Sequence, residues 1–262
     1  MSSKIRGLGD SVRILLVKAL ILFRVRVNGT KFPLIWLFLP TILRVTPFAF
    51  IVFSLADAET GLRFVQVTLI TAPSSILIRR IFRITSLNQR LTDWLTSKYG
   101  IANTLLAFSF LTVIETLPAL LIISLSISVV TNLEWMVGVR FFGLTTLLMV
   151  FANLILIILA PALLIAYEKF EDVRFAARYS FTLLNAYLMA AIKFNFHNNI
   201  FLNLLPGVFF SNMTLLPYGG LSFTAFVSSI AILIFTIIVF AIKYPLHLLQ
   251  NLGNSDLDSE GY

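Results

Sequence analysis

Six long apolar runs organise the chain. They cover roughly Pro33–Ala56, Leu62–Ile78, Asn103–Val130, Val139–Ala166, Tyr179–Asn195 and Leu221–Ile242. A helix needs about 20 residues to cross a hydrocarbon core of roughly 30 Å, and these runs are near that length. A transmembrane β-barrel would show short alternating segments instead. The pattern therefore predicts an all-α, polytopic membrane protein with six transmembrane helices. A further apolar stretch, Ile200–Pro217, is short and interrupted by "LLPG" and "LLPYGG". Proline and glycine break helices, so this stretch reads as a broken, re-entrant or interfacial hairpin over about 198–220, before the last span.

The polar intervals complete the plan. Residues 1–32 are basic, and Asp10–Val27 has a helical pattern that Asp10 or Ser11 can cap and Asn28–Gly29 can end. Four basic residues in that stretch make a span costly. An interfacial helix whose basic side chains snorkel to headgroups is expected, and a simple topology-setting end is the other reading. Residues 33–248 then form the six-span domain, and 249–262 a polar cytoplasmic tail.

The loop "TSLNQRLTDWLTSKYG" (residues 85–100) predicts a short amphipathic helix over about 86–99. Ser86 with Gln89 matches a capping box, and Gly100 can terminate the helix. Leu87, Leu91, Trp94 and Leu95 share one face, with Arg90 and Asp93 on its flanks. Such a helix can lie on a membrane, dock in a groove of a soluble partner, or be a solvated connector.

Charge orients these elements. The chain has 262 residues, 58% hydrophobic and only 12% charged, with 20 Lys and Arg and a net charge of +8. Sixteen of the 20 fall before the first span, between the second and third, between the fourth and fifth, or after the sixth. Arg63, Arg140 and Lys193 fall on the opposite side. The positive-inside rule then puts both termini in the cytoplasm of a multi-pass cell-membrane protein. This distribution accounts for the basic charge without nucleic acid, and membrane lipids are the expected surroundings. No cleavable signal peptide is expected, because no compact apolar core with a small-residue cleavage site follows the basic N-terminus.

Little catalytic chemistry is visible. There are no cysteines, and the two histidines, His197 and His247, are far apart in sequence. Disulfides, cysteine-ligated metals and HExxH-type sites are excluded, and no metal is expected. Glu168, Glu171 and Asp172 could hold a cation, but Lys169 and Arg174 interleave them, as in a solvated loop. Two charges lie near the middle of predicted spans, Arg44 in the first and Glu115 in the third. A helical rise of 1.5 Å per residue puts both about 18 Å in. They are expected to pair, or to line a translocation path, since lone mid-bilayer charges are costly. A buried pair that only fixes packing is the alternative. Pro118 and Pro47, each one turn after a charge, are expected to kink their helices.

Together these parts resemble the permease subunit of an ABC transporter of the type-2 exporter class. The resemblance covers nearly the whole chain: the basic interfacial helix, six spans, the cytoplasmic helix, and the broken hairpin "NNIFLNLLPGVFFSNMTLLPYGG" (Asn198–Gly220). In that family the cytoplasmic segment often reads E-R-x-x-G-T-L-E-x-L, and "QRLTDWLTS" (Gln89–Ser97) is similar at Arg90, Thr92 and Leu95. Gln89 replaces the first acid, the glycine is missing, and Asp93 is off register.

The resemblance implies a homodimer or heterodimer of permeases. It also implies an ABC ATPase partner docked through Arg90, Asp93, Trp94 and Leu95. The chain itself would be no enzyme. None of its 12 glycines is followed by lysine, so it has no G-x-x-x-x-G-K-[ST] loop, and ATP would be bound by the partner. A second resemblance lies in "APALLIAYEKFEDVRFAARYSFTLLN" (Ala160–Asn185). Its Pro-ended span, acidic turn and A-x-x-S look like six-span bacterial membrane proteins related to the membrane domain of some glycerophosphodiesterases. That implies an accessory or scaffold protein without an ATPase. An intramembrane enzyme would need a convergent catalytic set, of which only Arg44 and Glu115 are visible.

Overall fold

A computed structural model describes residues 33–84, 101–130, 135–194, 199, 201, 202, 205, 208–214 and 223–243. The N-terminal helix, the cytoplasmic helix with Arg90, Asp93, Trp94 and Leu95, most of the hairpin and the polar tail lie outside the described residues. Every regular element among the described residues is helical. In chain order these are α1 (Pro33–Ser54), α2 (Ala58–Ile84), α3 (Ile101–Val130), α4 (Trp135–Lys169), α5 (Glu171–Arg178), α6 (Ser180–Lys193), α7 (Val208–Met213) and α8 (Phe223–Lys243).

Three stretches are long and apolar enough to cross a membrane: Ala58–Phe82, Asn103–Ile127 and Gly138–Tyr167. They correspond to the second, third and fourth predicted spans. The apolar stretches Phe38–Ser54 and Val227–Lys243 are shorter. The fifth predicted span differs most. Its helix, α6, has 14 residues and is therefore about 21 Å long, less than the hydrocarbon thickness. The predicted acidic loop before it is instead the helix α5. Glu171 and Asp172 are exposed in its first turn, where carboxylates suit the positive end of the helix dipole. Helices α1 and α3 run on through Pro47 and Pro118.

Helix α2 is the centre. Helices α1, α3, α4 and α6 all pack on it, and α5 and α7 touch it as well. Of an 18-residue apolar segment in α2 83% is buried, against 61% of the matching segment in α3 and 50% in α4. Side-chain bonds give the directions. Gln66 Nε2 donates to Thr145 Oγ1, and eight residues later Ser74 Oγ donates to Asn153 Oδ1. The equal steps mean that α2 and α4 run parallel. Against α3 the order reverses. Leu62, Val65 and Leu69 share a core cluster with Leu120, Ile123 and Ile127, whereas Leu77 and Ile81 join Leu105 and Phe108. That pairing is antiparallel, as for consecutive spans.

Small residues let the backbones approach. Ala72, Ala107, Ala119 and Ala160 are wholly buried. Lipid tails are as apolar as leucine, so association inside a membrane relies on such close packing and on interhelical hydrogen bonds. Leu43, Leu125, Leu147 and Phe235 are exposed on α1, α3, α4 and α8. In a lipid environment these outward faces need no further cover.

The α1–α2 corner is tight. Asp57 Oδ2 accepts the backbone N–H of Thr60 and caps α2. That bond holds the Asp57 carboxyl below its ordinary pKa, and Lys193 adds a smaller attraction. A Cβ on Gly61 would lie 2.8 Å from the Phe53 carbonyl oxygen, a backbone atom that cannot rotate away.

Gly61→Ala should therefore lower the melting temperature in detergent. Overpacking by one methyl costs about 1–3 kcal/mol, whereas helix propensity returns at most about 1 kcal/mol. A parent-like or raised melting temperature would show that the corner has slack. The Asp57 cap makes a second prediction. Its folded pKa is depressed, so its contribution is complete above the unfolded value and fades as pH falls below about 4. In Asp57→Asn, which can still accept the bond, this part of the acid dependence of the melting temperature should vanish.

Candidate functional site

The polar residues of α2 form an edge along an otherwise apolar bundle. Near its start Arg63 is buried, and its Nε donates to Thr214 Oγ1, just after α7, at 3.5 Å. One turn on, Gln66 bonds Thr145 at 3.1 Å. Mid-helix, the Asn153 amide ties three helices together. Its Oδ1 accepts from Ser74 at 3.3 Å, and its Nδ2 donates to Thr112 Oγ1 at 2.9 Å and to the Ser109 carbonyl at 3.4 Å. Near the end of α2, Arg80 Nη2 donates to Glu115 Oε1 at 2.6 Å.

That last contact replaces the expected Arg44–Glu115 pair. Glu115 is wholly buried and Arg80 is 12% exposed, and both meet inside the bundle. The cause is the length of α2, which continues past Ile78 to Ile84 and carries Arg79 and Arg80 among its neighbours. Side chains on a helix lean toward its N-terminus. In the antiparallel α2 and α3, Arg80 and Glu115 therefore lean toward each other. Arg44 takes another position. Its guanidinium stacks 4.2 Å from the centroid of the Phe181 ring, a cation–π distance. Phe48 holds that ring from a second direction, edge-on at 5.3 Å. Among the described residues no carboxylate forms a salt bridge with Arg44.

Arg44, Arg79 and Arg80 line one cavity of about 460 Å³ between α1, α2, α3 and α6. Thr41, Phe108 and Phe181 contribute to its walls, with apolar residues of α1, α2 and α3 between them. A second cavity of about 250 Å³ lies among α2, α4, α6, α7 and α8. Leucine, isoleucine and phenylalanine dominate its walls and no charged residue reaches it. Among the described residues no group of three or more His, Cys, Asp or Glu converges, and the Glu168 side chain lies outside them.

Sequence reasoning picked out Arg44 and Glu115 but missed Arg79, Arg80, Phe181 and Asn153. The first two looked like loop charges because the hydropathy of span two falls off at Ile78. Asn153 had a visible signal: it is a lone amide in "MVFANLILII", where a polar group needs a partner. Phe181 carried none, being one of 25 phenylalanines.

Three membrane-length helices packed about a polar centre define an all-helical fold of the multi-pass membrane type. Comparison with protein-family models, curated proteins and solved structures gives no match.

The pair supplies a direct test. Removing one partner of a buried ion pair typically costs about 3–5 kcal/mol, because the remaining charge stays buried. Glu115→Leu should destabilise the protein by about that much in a detergent unfolding assay, and adding Arg80→Met should recover part of the loss. Additive losses would mean that the two side chains do not act together.

Proposed function

We propose that the chain is the transmembrane permease subunit of an ATP-driven ABC transporter, moving its substrate outward across the cell membrane. The observation that supports this reading best is α2. It is long and apolar enough to cross a bilayer, yet it carries three arginines (Arg63, Arg79 and Arg80) and a glutamine among its neighbours and is enclosed on several sides. Ionisable residues inside membrane segments are rare, and they mark substrate and ion pathways. In this reading α1, α2, α3, α4, α6 and α8 are the six spans. Helix α7, buried beside α6 and α8, belongs to the outer hairpin, and both termini are cytoplasmic. The exposed apolar faces meet lipid or a second permease, in a homodimer or heterodimer.

ATP hydrolysis is assigned to a separate subunit. It docks on the helix predicted over 86–99, with Arg90, Asp93, Trp94 and Leu95 as contacts. That helix joins α2 to α3, so nucleotide-driven movement there reaches the Arg80–Glu115 pair directly.

The A-x-x-S segment favours a second reading. Ala177 and Ser180 are both buried where α5 turns into α6, so this motif forms the corner. That suits the six-span bacterial membrane proteins that the motif resembles, and with them an accessory or scaffold role for this chain without an ATPase.

Affinity purification from detergent distinguishes the two. The transporter reading expects an ATPase to co-purify, and Trp94→Ala or Arg90→Ala to reduce its recovery severalfold while the permease stays folded. A folded permease that brings down no ATPase favours the scaffold.

A further inference from the structure

We infer that the cavity between α1, α2, α3 and α6 binds the phosphate group of an anionic organic molecule. The inference deepens the transport reading, because the cavity then selects the substrate, and it rests on that reading for this role.

Three arginines, Arg44, Arg79 and Arg80, line one space. The residues that line the cavity include these three arginines and no carboxylate, and Glu115 meets Arg80 beside it. Guanidinium is the side chain whose planar fork matches phosphate oxygens two at a time, and unlike lysine it stays charged when partly desolvated. Arg44 is the clearest case. Its charge is held by the face of Phe181, which fixes its direction and leaves its N–H edge available for an acceptor. A ring face compensates a cation by about 0.5–2 kcal/mol, less than the cost of holding it inside a membrane segment. An anion in the cavity supplies the remainder.

Size and lining narrow the ligand. The cavity, at about 460 Å³, lies in the range of small-molecule sites, roughly 300–1,000 Å³, and far exceeds what a bare oxyanion fills. Val45, Ala72, Ile76 and Leu111 provide apolar wall beside the arginines. A charged head on an organic body suits that division. The position agrees. Arg80 is four residues from the end of α2 and Phe181 is the second residue of α6, so the cavity lies toward the end of the bundle that the charge distribution assigns to the cytoplasm. The same chemistry could come from the headgroup of an anionic phospholipid in the inner leaflet or from a soluble phosphate ester.

The test uses the full chain in nanodiscs, without nucleotide or ATPase. Its outcome is therefore independent of the co-purification experiment: loss of binding counts against this inference alone, and loss of the ATPase against the transport reading. Thermal stability and native mass spectrometry would be compared in phosphatidylcholine, in phosphatidylcholine with phosphatidylglycerol, and in phosphatidylcholine with glycerol 3-phosphate. Retention and stabilisation with phosphatidylglycerol identify the lipid as the source, and the same effect with glycerol 3-phosphate identifies the soluble ester. In either case Arg44→Gln should weaken binding at least about tenfold, as expected for loss of a charged hydrogen bond, and Arg44→Lys should restore part of it. Ile76→Phe keeps all three arginines but narrows the space, and it too should abolish the effect. Equal affinity in Arg44→Gln and Ile76→Phe, or no effect of either anion, overturns the inference.

Discussion

The polar edge of α2 has to be satisfied by its neighbours. Inside a membrane no water is at hand to hydrogen-bond a glutamine, a serine or an arginine, so each must find a protein partner. Gln66 meets Thr145, Ser74 meets Asn153, and Arg80 meets Glu115. These bonds set α4 parallel to α2 and draw α3 alongside both. An apolar α2 could slide or rotate in its socket with little change in energy, because leucine against leucine resembles leucine against lipid. The polar contacts select one register, and the buried alanines allow the helices to come close enough to make them.

The two ends of α2 differ in consequence. At its start the corner is closed: Asp57 caps the helix, Gly61 packs against the Phe53 backbone, and Arg63 reaches toward Thr214. At its other end α1, α2, α3 and α6 leave a space. Among the described residues the first end of α2 is thus closely packed, and the other end borders a cavity lined by three arginines. This polarity follows the positive-inside bias of the loops, although Arg79 and Arg80 serve the interior rather than a loop.

Helical class and the positions of the third and fourth spans were legible from run length alone, since 20 or more apolar residues admit few other structures, whereas the second run, Leu62–Ile78, stops short of the helix that carries it. Glu115 was legible as a residue that needs a partner. The identity of that partner was not, because it depends on side-chain lean and on six residues of helix beyond the hydropathy boundary at Ile78. An arginine with its long apolar stem can end a span in sequence while continuing it in space. Helix α5 was misjudged for a related reason: its acidic first turn resembles a loop by composition but suits a helix N-terminus by electrostatics. Phe181 was invisible, because its role comes from lying under Arg44 and not from any local pattern.

The central claim is that α2 lies enclosed in the membrane, its polar edge seated in parallel register against α4. The chain contains no cysteine, so introduced pairs report without background. Gln66→Cys with Thr145→Cys, and Ser74→Cys with Asn153→Cys, would be treated in membranes with a short bifunctional thiol reagent. The account predicts that both in-register pairs cross-link, while the crossed pair Gln66→Cys with Asn153→Cys, offset by two helical turns, does not. Preferential linking of the crossed pair, or none in either matched pair, would contradict it.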